Sequence, residues 1–259
     1  MKKISAVLIT YNESDKIERA LRSLEPVSDE IVVVDSFSSD STPELCRRYT
    51  DRIIQRSWPG YRQQKQFAAE RASHEWILSL DGDEALSSEL AHEILEWKKS
   101  PDSRDDGYYF PRKAFFMGRW IAHTTWYPDR QLRLFRKNSG GWQGGRIHES
   151  VQVTGSVGRF KGEIHHYTYA SFSEYLEQLD RFSTLAAEEQ WERGRRARWW
   201  DFVLHPPVVF LKNYLLRLGF LDGWPGLAVS FMAGTSTLFK YMKLRELELE
   251  RRTPTECQE

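Results

Sequence analysis

Over residues 1–100, short apolar, β-branched runs alternate with stretches whose apolar residues recur at helical spacing. No other feature of the chain restricts its fold as much. ISAVLIT at 4–10 and EIVVVD at 30–35 are too continuously hydrophobic for strands with one solvated face, so both are expected to be buried on two sides. DRIIQ and EWILSL supply two further strands. Residues 12–14 offer capping side chains ahead of Ile17, Ala20, Leu21 and Leu24, and Ser41 or Thr42 caps a helix with Pro43 at its first position. Helices are also expected over 61–72 and 87–97. This order predicts an α/β fold: a mixed, mainly parallel sheet with helices on both faces.

The pattern changes after Pro101. GYYFPRKAFFMGRWI and RQLRLFRK are aromatic, basic and strand-like, and Gly140, Gly141, Gly144 and Gly145 mark a loop with special backbone needs. From Ser171 the chain reads as helical, with Phe172, Leu176, Leu179, Phe182 and Ala186 at three- and four-residue steps. The expected regions are 1–170, divided near residue 100, and a helical extension over 171–259. The formal net charge is zero, so there is no global electrostatic case for a nucleic-acid partner. Cys46 and Cys257 share no metal-ligand spacing and build no disulfide framework, which points to a reducing compartment. The apolar run after the N-terminal lysines is too short for a signal-peptide core and reads as the first strand, with the N-terminus in the cytoplasm.

In a parallel sheet, ligands sit outside the carboxyl ends of the strands. Three strands here end in polar groups: the first in Thr10, Tyr11, Asn12 and Glu13, the second in Asp35, the fourth in Asp81, Gly82 and Asp83. Two aspartates around a glycine are hard oxygen ligands suited to Mg²⁺ or Mn²⁺, which takes further ligands from water and a substrate phosphate. A solvated Asp-Gly turn is the plain alternative. Tyr11 offers a face for stacking a base, and Asp35 can accept hydrogen bonds from a base or ribose. Taken together, these ends describe a nucleotide cleft with a metal at its phosphate end.

VLITYNES, IVVVDSFSSDST and WILSLDGDE, in this order and spacing, resemble the family-2 glycosyltransferases of the GT-A fold over roughly residues 1–170. The resemblance makes residues 1–100 a nucleotide-binding half and 101–170 an acceptor half. It implies that Thr10, Tyr11, Asn12 and Glu13 line the base and ribose pocket, that Asp35 binds the base, and that Asp81 and Gly82 lie near the ribose and metal. Asp83 would be the main ligand of the divalent metal, Mg²⁺ or Mn²⁺, with Asp81 beside it. GYRQQKQFAAERA matches a segment that reaches the nucleotide, so Arg62 and Lys65 are expected to contact it unless they lie on a solvated helix face. Inverting sugar transfer also needs a base for the acceptor hydroxyl. By the resemblance that base is Glu149, after His148 in GGWQGGRIHESV; Asp129 in WYPDRQLRLF is the rival. Arg130 and Arg133 could hold phosphates or pair with acids. His166 is either a metal ligand or a satisfied core histidine.

The last third mixes arginines, tryptophans and apolar stretches. Residues 223–239 are uncharged but contain Pro225, glycines and hydroxyls, a poor spanning segment. Arg193, Arg195, Arg196 and Arg198 beside Trp199 and Trp200 suit an anionic lipid surface, and 208–221, carrying Lys212 and Arg217, reads as a helix in the interface. A helical subdomain with solvated arginines is the alternative. FLKNYLLRLGFLDGWPG and KYMKL resemble small bacterial enzymes of lipopolysaccharide inner-core assembly, which add β-1,4-linked glucose to a heptose. The expectation is a metal-dependent, inverting transferase moving a sugar, glucose by the resemblance, from a UDP-linked donor to a lipid-linked saccharide, peripheral on the inner face of the cytoplasmic membrane. The rivals are a polyprenyl-phosphate glycosyltransferase and a non-catalytic nucleotide-binding membrane adaptor.

Overall fold

The computed structural model describes residues 1–101, 104–144, 149–169 and 171–250. Gly145, His148 and Cys257 lie outside them. The chain divides into two compact units, Met1–Ala114 with Pro128–Thr168, and Phe115–Tyr127 with Tyr169–Glu259.

The first unit opens with β1 (Ile4–Thr10), α1 (Ile17–Leu24), β2 (Glu30–Asp35), α2 (Thr42–Cys46), β3 (Ile53–Gln55), α3 (Tyr61–Arg71), β4 (Trp76–Ser79), β5 (Glu84–Leu86) and α4 (Ser88–Lys99). It continues through β6 (Gly107–Phe116, whose last two residues group with the second unit), and the second unit's β7 (Arg119–Trp120) follows. Back in the first unit come β8 (Asp129–Arg136), β9 (Gly140–Gly144), β10 (Glu149–Val153), β11 (Val157–Arg159) and β12 (Ile164–Tyr167). The main sheet has the order β3-β2-β1-β4-β8-β6-β12-β5. Its first four strands are mutually parallel, and β8 turns antiparallel against β4.

Strand alternation divides the core between the two faces of this sheet. Ile4, Ala6, Leu8, Ile31, Val33, Trp76 and Leu78 pack with α1 and α4, through residues such as Leu21 and Ile94. Val7, Val32, Val34 and Ile77 pack with Ala68, Ala69 and Ala72 at α3 and with Trp142 and Val151 of the β9–β10 hairpin. Covering on both faces explains why β1, β2 and β4 are apolar without a polar face. Where α3 lies on the sheet its buried residues are the small Ala68 and Ala69, and nearer its N-terminus the long Gln64 and Lys65 are buried as well.

The second unit is built on α5 (Phe172–Glu192), α6 (Trp199–Val203), α7 (His205–Leu211) and α8 (Gly223–Glu250). The buried stripe of α5 is Tyr175, Leu179, Ser183 and Ala187. Of the apolar positions that mark this helix in the sequence, Leu179 is on that stripe, whereas Phe172, Leu176 and Phe182 are exposed. The stretch 208–221 is not one helix. α7 gives way to a π turn at Lys212–Leu216, Leu218 takes φ 57°, and a 3-10 turn follows at Gly219–Asp222. Close packing drives the break: a Cβ on Gly219 would lie 2.9 Å from the Asn213 carbonyl oxygen, and one on Gly226 1.9 Å from the Gly219 oxygen. Among the described residues no helix is long and apolar enough to cross a membrane.

Candidate active site

β1 and β2 end side by side, with Thr10 in register with Asp35. Asp35 is fully buried. Its Oδ1 accepts from Thr10 Oγ1 at 3.1 Å and Ser38 Oγ at 2.5 Å, and its Oδ2 from Ser38 N at 2.9 Å. The carboxylate therefore organises the loop after β2 at the carboxyl end of the sheet. Asn12, at φ 52°, occupies the left-handed region that asparagine tolerates. Its Oδ1 accepts from Ser39 N at 2.8 Å, so it staples the loops after β1 and β2 instead of capping α1, whose N-cap residue Lys16 makes no side-chain cap bond. Thr42 is likewise no cap: its Oγ1 accepts from Glu13 N at 2.8 Å, while Ser41 holds the N-cap position of α2 without a side-chain cap bond. Between these anchors Tyr11 stands 58% exposed, its ring open to a stacking partner. A Cβ on Gly82 would lie 3.4 Å from Glu13 Cγ, so the loops after β1 and β4 adjoin.

The turn after β4 is closed on itself. Glu84 N donates to the Asp81 carbonyl at 3.0 Å and Asp81 N to Glu84 Oε2 at 3.1 Å. The other Glu84 oxygen, Oε1, accepts from Arg112 Nη1 at 2.9 Å and Arg133 Nη2 at 2.8 Å. Arg133 Nη2 also reaches Asp81 Oδ2 at 2.7 Å, and Lys65 Nζ holds Asp81 Oδ1 at 2.9 Å. Burial alone would raise both acids' pKa values. Arg133 and Lys65 override it at Asp81, holding that carboxyl far below the usual range. At Glu84, Arg133 and then Arg112 outweigh both burial and the like charge of Asp81, and the result is again downward. The Asp81-Gly82 stretch is thus an ion-paired turn, unlike the solvated turn that was the plain reading.

Lys65 is the hinge of the arrangement. It is almost fully buried in α3, and its ammonium also lies 3.2 Å from Glu149 Oε1 at the start of β10. One cation therefore joins the D-G-D turn to the candidate base. The Trp142 ring, 4.7 Å from Lys65 Nζ and 5.8 Å from Arg133 Cζ, backs both cations. Trp142 N donates to Gln66 Oε1 at 2.9 Å, so neighbouring residues of α3 hold the hairpin and the glutamate it carries.

Asp83 Oδ2 lies 3.1 Å from His166 Nε2. The pairing of β12 with β5, His166 opposite Glu84, fixes this contact, and Tyr167 N donates to the Asp83 carbonyl at 2.9 Å. Asp129, the rival base, is Arg112's cross-strand partner: Arg112 Nε and Nη2 both reach Oδ2, and Gln131 holds Oδ1 at 2.7 Å. Arg62 is exposed on the first turn of α3 and takes no part in the cluster. Sequence reasoning passed over Glu84, Arg112, Gln66 and Trp142. Glu84 could have been suspected from its place one residue beyond the aspartates; Arg112 becomes visible only through the β6–β8 register. Among the described residues no group of three or more His, Cys, Asp or Glu is arranged to hold a metal by itself.

Residues 5–160 match the model of glycosyl transferase family 2. The chain belongs to this family. Among similar curated proteins, the glycosyltransferase is 30% identical to the lipopolysaccharide core biosynthesis glycosyltransferase LpsC of Rhizobium meliloti (strain 1021), over 88% of this chain and 89% of that one. It is 28% identical to an uncharacterized glycosyltransferase of Rickettsia prowazekii (strain Madrid E), over 96% and 89%. Among solved structures, the mannosyltransferase PcManGT of Pyrobaculum calidifontis, held with GDP-Man and Mn²⁺, superposes with a TM-score of 0.55 at 14% identity, over 93% of this chain and 86% of that one. The glycosyltransferase has the GT-A fold, and the family motifs VLITYNES, IVVVDSFSSDST and WILSLDGDE all fall within the matched residues.

Proposed function

We propose that this glycosyltransferase is a metal-dependent, inverting enzyme. In this reading it moves glucose from UDP-glucose to a lipid-linked saccharide, the heptose of a lipopolysaccharide inner core, at the inner face of the cytoplasmic membrane. The observation that carries the chemistry is Lys65, whose ammonium touches both Asp81 and Glu149 and so sets a candidate base beside the D-G-D turn. The name of the similar LpsC protein and the resemblance of FLKNYLLRLGFLDGWPG support the acceptor class.

The donor set suits Mg²⁺ or Mn²⁺. Both Asp81 oxygens are engaged by cations, which leaves the Asp83 carboxylate and the His166 imidazole as the protein donors, with the remaining positions suited to diphosphate oxygens and water. Such an ion would neutralise the diphosphate as it leaves. Tyr11 stacks the base, and Thr10, Asn12, Glu13 and Asp35 shape the pocket around base and ribose. Asp81, fixed by Arg133 and Lys65, receives the ribose side of the donor, with Gly82 allowing close approach. In the transfer, the acceptor oxygen attacks the anomeric carbon from the face opposite the diphosphate. The carbon–oxygen bond to the diphosphate breaks, the electron pair leaves with it, and the acceptor's proton passes to Glu149. Glu149 Oε1 sits against Lys65, which sets its orientation for this step.

The test is transfer of labelled glucose from UDP-glucose to a purified core oligosaccharide acceptor, with Mn²⁺ or Mg²⁺ and with Glu149→Gln. Loss of turnover by at least about 100-fold with UDP binding retained is the expected result. A variant that turns over normally removes the base and favours an acceptor already ionised, such as a polyprenyl phosphate. Absence of transfer and of donor hydrolysis in the wild type would leave a nucleotide-binding adaptor.

A further inference from the structure

The segment from Arg193 to Leu221 has an unusual distribution of polarity. α7 packs inward along Pro206 and Phe210, where a Cβ on Gly234 of α8 would lie 2.9 Å from the Pro206 oxygen and 3.6 Å from Phe210 Cβ. Asn213 continues that inward stripe, with its Oδ1 accepting from Thr125 N at 2.9 Å. The opposite stripe, at helical spacing, is Leu204, Val208, Leu211 and Leu215, with Leu216 beside it, and all five are exposed. Leu216 is 80% exposed and Trp199, at the start of α6, 70%. A solvated helix would carry polar residues on this face; here the outward stripe is apolar and the inward one holds a buried asparagine.

The charge on the same segment is predominantly positive, although Arg193 and Arg196 are paired outside it, with Glu189 Oε1 at 2.5 Å and Glu248 Oε1 at 3.9 Å. Arg193, Arg195, Arg196, Arg198, Lys212 and Arg217 are its cations, and Asp201 is its only acid. Asp201 is buried and spent internally, 3.2 Å from Arg195 Nη2 and 3.3 Å from His205 Nδ1. Lys212, at the start of the turn after α7, and Arg217, just past its end, are both exposed, with Arg217 Nη1 3.4 Å from the Thr124 carbonyl oxygen, and Arg198 sits one residue before Trp199. An exposed apolar stripe with cations and tryptophans next to it in the chain matches the boundary between acyl chains and anionic headgroups. A protein partner or a second copy would need acidic residues facing these cations, and the segment offers none of its own to a symmetric copy.

We propose that the α6–α7 face, continued by the turn at Lys212–Leu216, is a membrane-docking surface that inserts Val208, Leu211, Leu215, Leu216 and Trp199 into an anionic bilayer, with Arg198, Lys212 and Arg217 at the headgroups. This assigns the surface behind the membrane location in the proposed function, and it holds or fails independently of donor, acceptor or metal. The experiment is co-sedimentation of the full chain, without nucleotide or metal, with vesicles of phosphatidylcholine alone or with phosphatidylglycerol added. Trp emission is recorded on the same mixtures. The wild type is expected to bind the anionic vesicles at least about tenfold more tightly, with a blue shift, and to release as salt is raised. Leu215→Ser with Leu216→Ser, and separately Arg198→Glu with Lys212→Glu, should each weaken binding about tenfold or more while the far-UV circular dichroism spectrum and the cooperative thermal transition match the wild type's, which shows the variants are folded. No binding to anionic vesicles, or equal binding by the variants, overturns the proposal. So does a wild-type dimer that Leu215→Ser with Leu216→Ser disperses, since the stripe would then be covered by a second copy.

Discussion

Replacing Arg133 with methionine removes the central cation of the site without opening much space. Arg133 is 2% exposed, Glu84 1%, and Arg133 bonds Glu84 and Asp81 at 2.8 and 2.7 Å. Removing one partner of a buried ion pair costs about 3–5 kcal/mol because a charge is left without compensation. Here Glu84 keeps Arg112 at 2.9 Å and Asp81 keeps Lys65 at 2.9 Å, so the low end applies, about 3 kcal/mol. For a domain of this size that is a fall in Tm of about 6–12 °C. Both carboxyls have folded pKa values below their unfolded ones, so their stabilisation is present above about pH 4 and is lost as pH falls through the folded values. The variant lacks much of that stabilisation at neutral pH. Its deficit should therefore shrink as pH falls below about 4, where a protonated carboxyl needs no cation. Urea unfolding of both proteins at neutral and acidic pH measures this. A deficit below about 1 kcal/mol at pH 7, or one unchanged by acid, refutes the reasoning.

Lys65→Met should lower kcat/KM by about 100-fold or more, because one substitution frees Glu149 and removes one of the two cations on Asp81; steady-state kinetics with UDP-glucose check this. Asp83→Asn should abolish the strengthening of UDP binding by Mn²⁺ while weaker UDP binding without metal persists, as read by calorimetry. Gly226→Ala should destabilise the second unit by about 1–3 kcal/mol, since its Cβ would meet the Gly219 oxygen at 1.9 Å; thermal unfolding followed by far-UV circular dichroism reports it. Cys46, buried and with its thiol pushed up to about 12, should resist alkylation in the native protein and react on unfolding, as peptide mapping would show.

Residues 1–100 of the fold were legible because their strands are buried on both faces. Ile31 and Val33 must be apolar for one layer, Val32 and Val34 for the other, and a run of that kind has few alternatives. The convergence of Thr10, Asp35 and the D-G-D turn followed from parallel topology, which brings carboxyl ends together whatever their separation in sequence. The ion-pair network was not legible. Arg112 meets Asp129 through strand register, and Arg133 meets Glu84 across more than one strand, relations that no local pattern encodes. Lys65 was expected to contact the nucleotide or else to lie on a solvated helix face, and neither expectation contains its burial, which arises because α3 lies against both the sheet and the β9–β10 hairpin. The C-terminal helices misled in register: Phe172, Leu176 and Phe182 have the spacing of a core face yet are exposed, while Ser183 is buried. An apolar face that seeks something other than the protein's own core has the same periodicity as one that does not.

The measurement that bears most directly on the pocket is a crystal structure of the protein with UDP and Mn²⁺. The account predicts the uracil ring stacked on Tyr11 near Asp35, Mn²⁺ bound by Asp83 with the diphosphate, and Glu149 facing the β-phosphate side of the ligand. Nucleotide bound away from the carboxyl ends of β1, β2 and β4, or metal bound without Asp83, would contradict it.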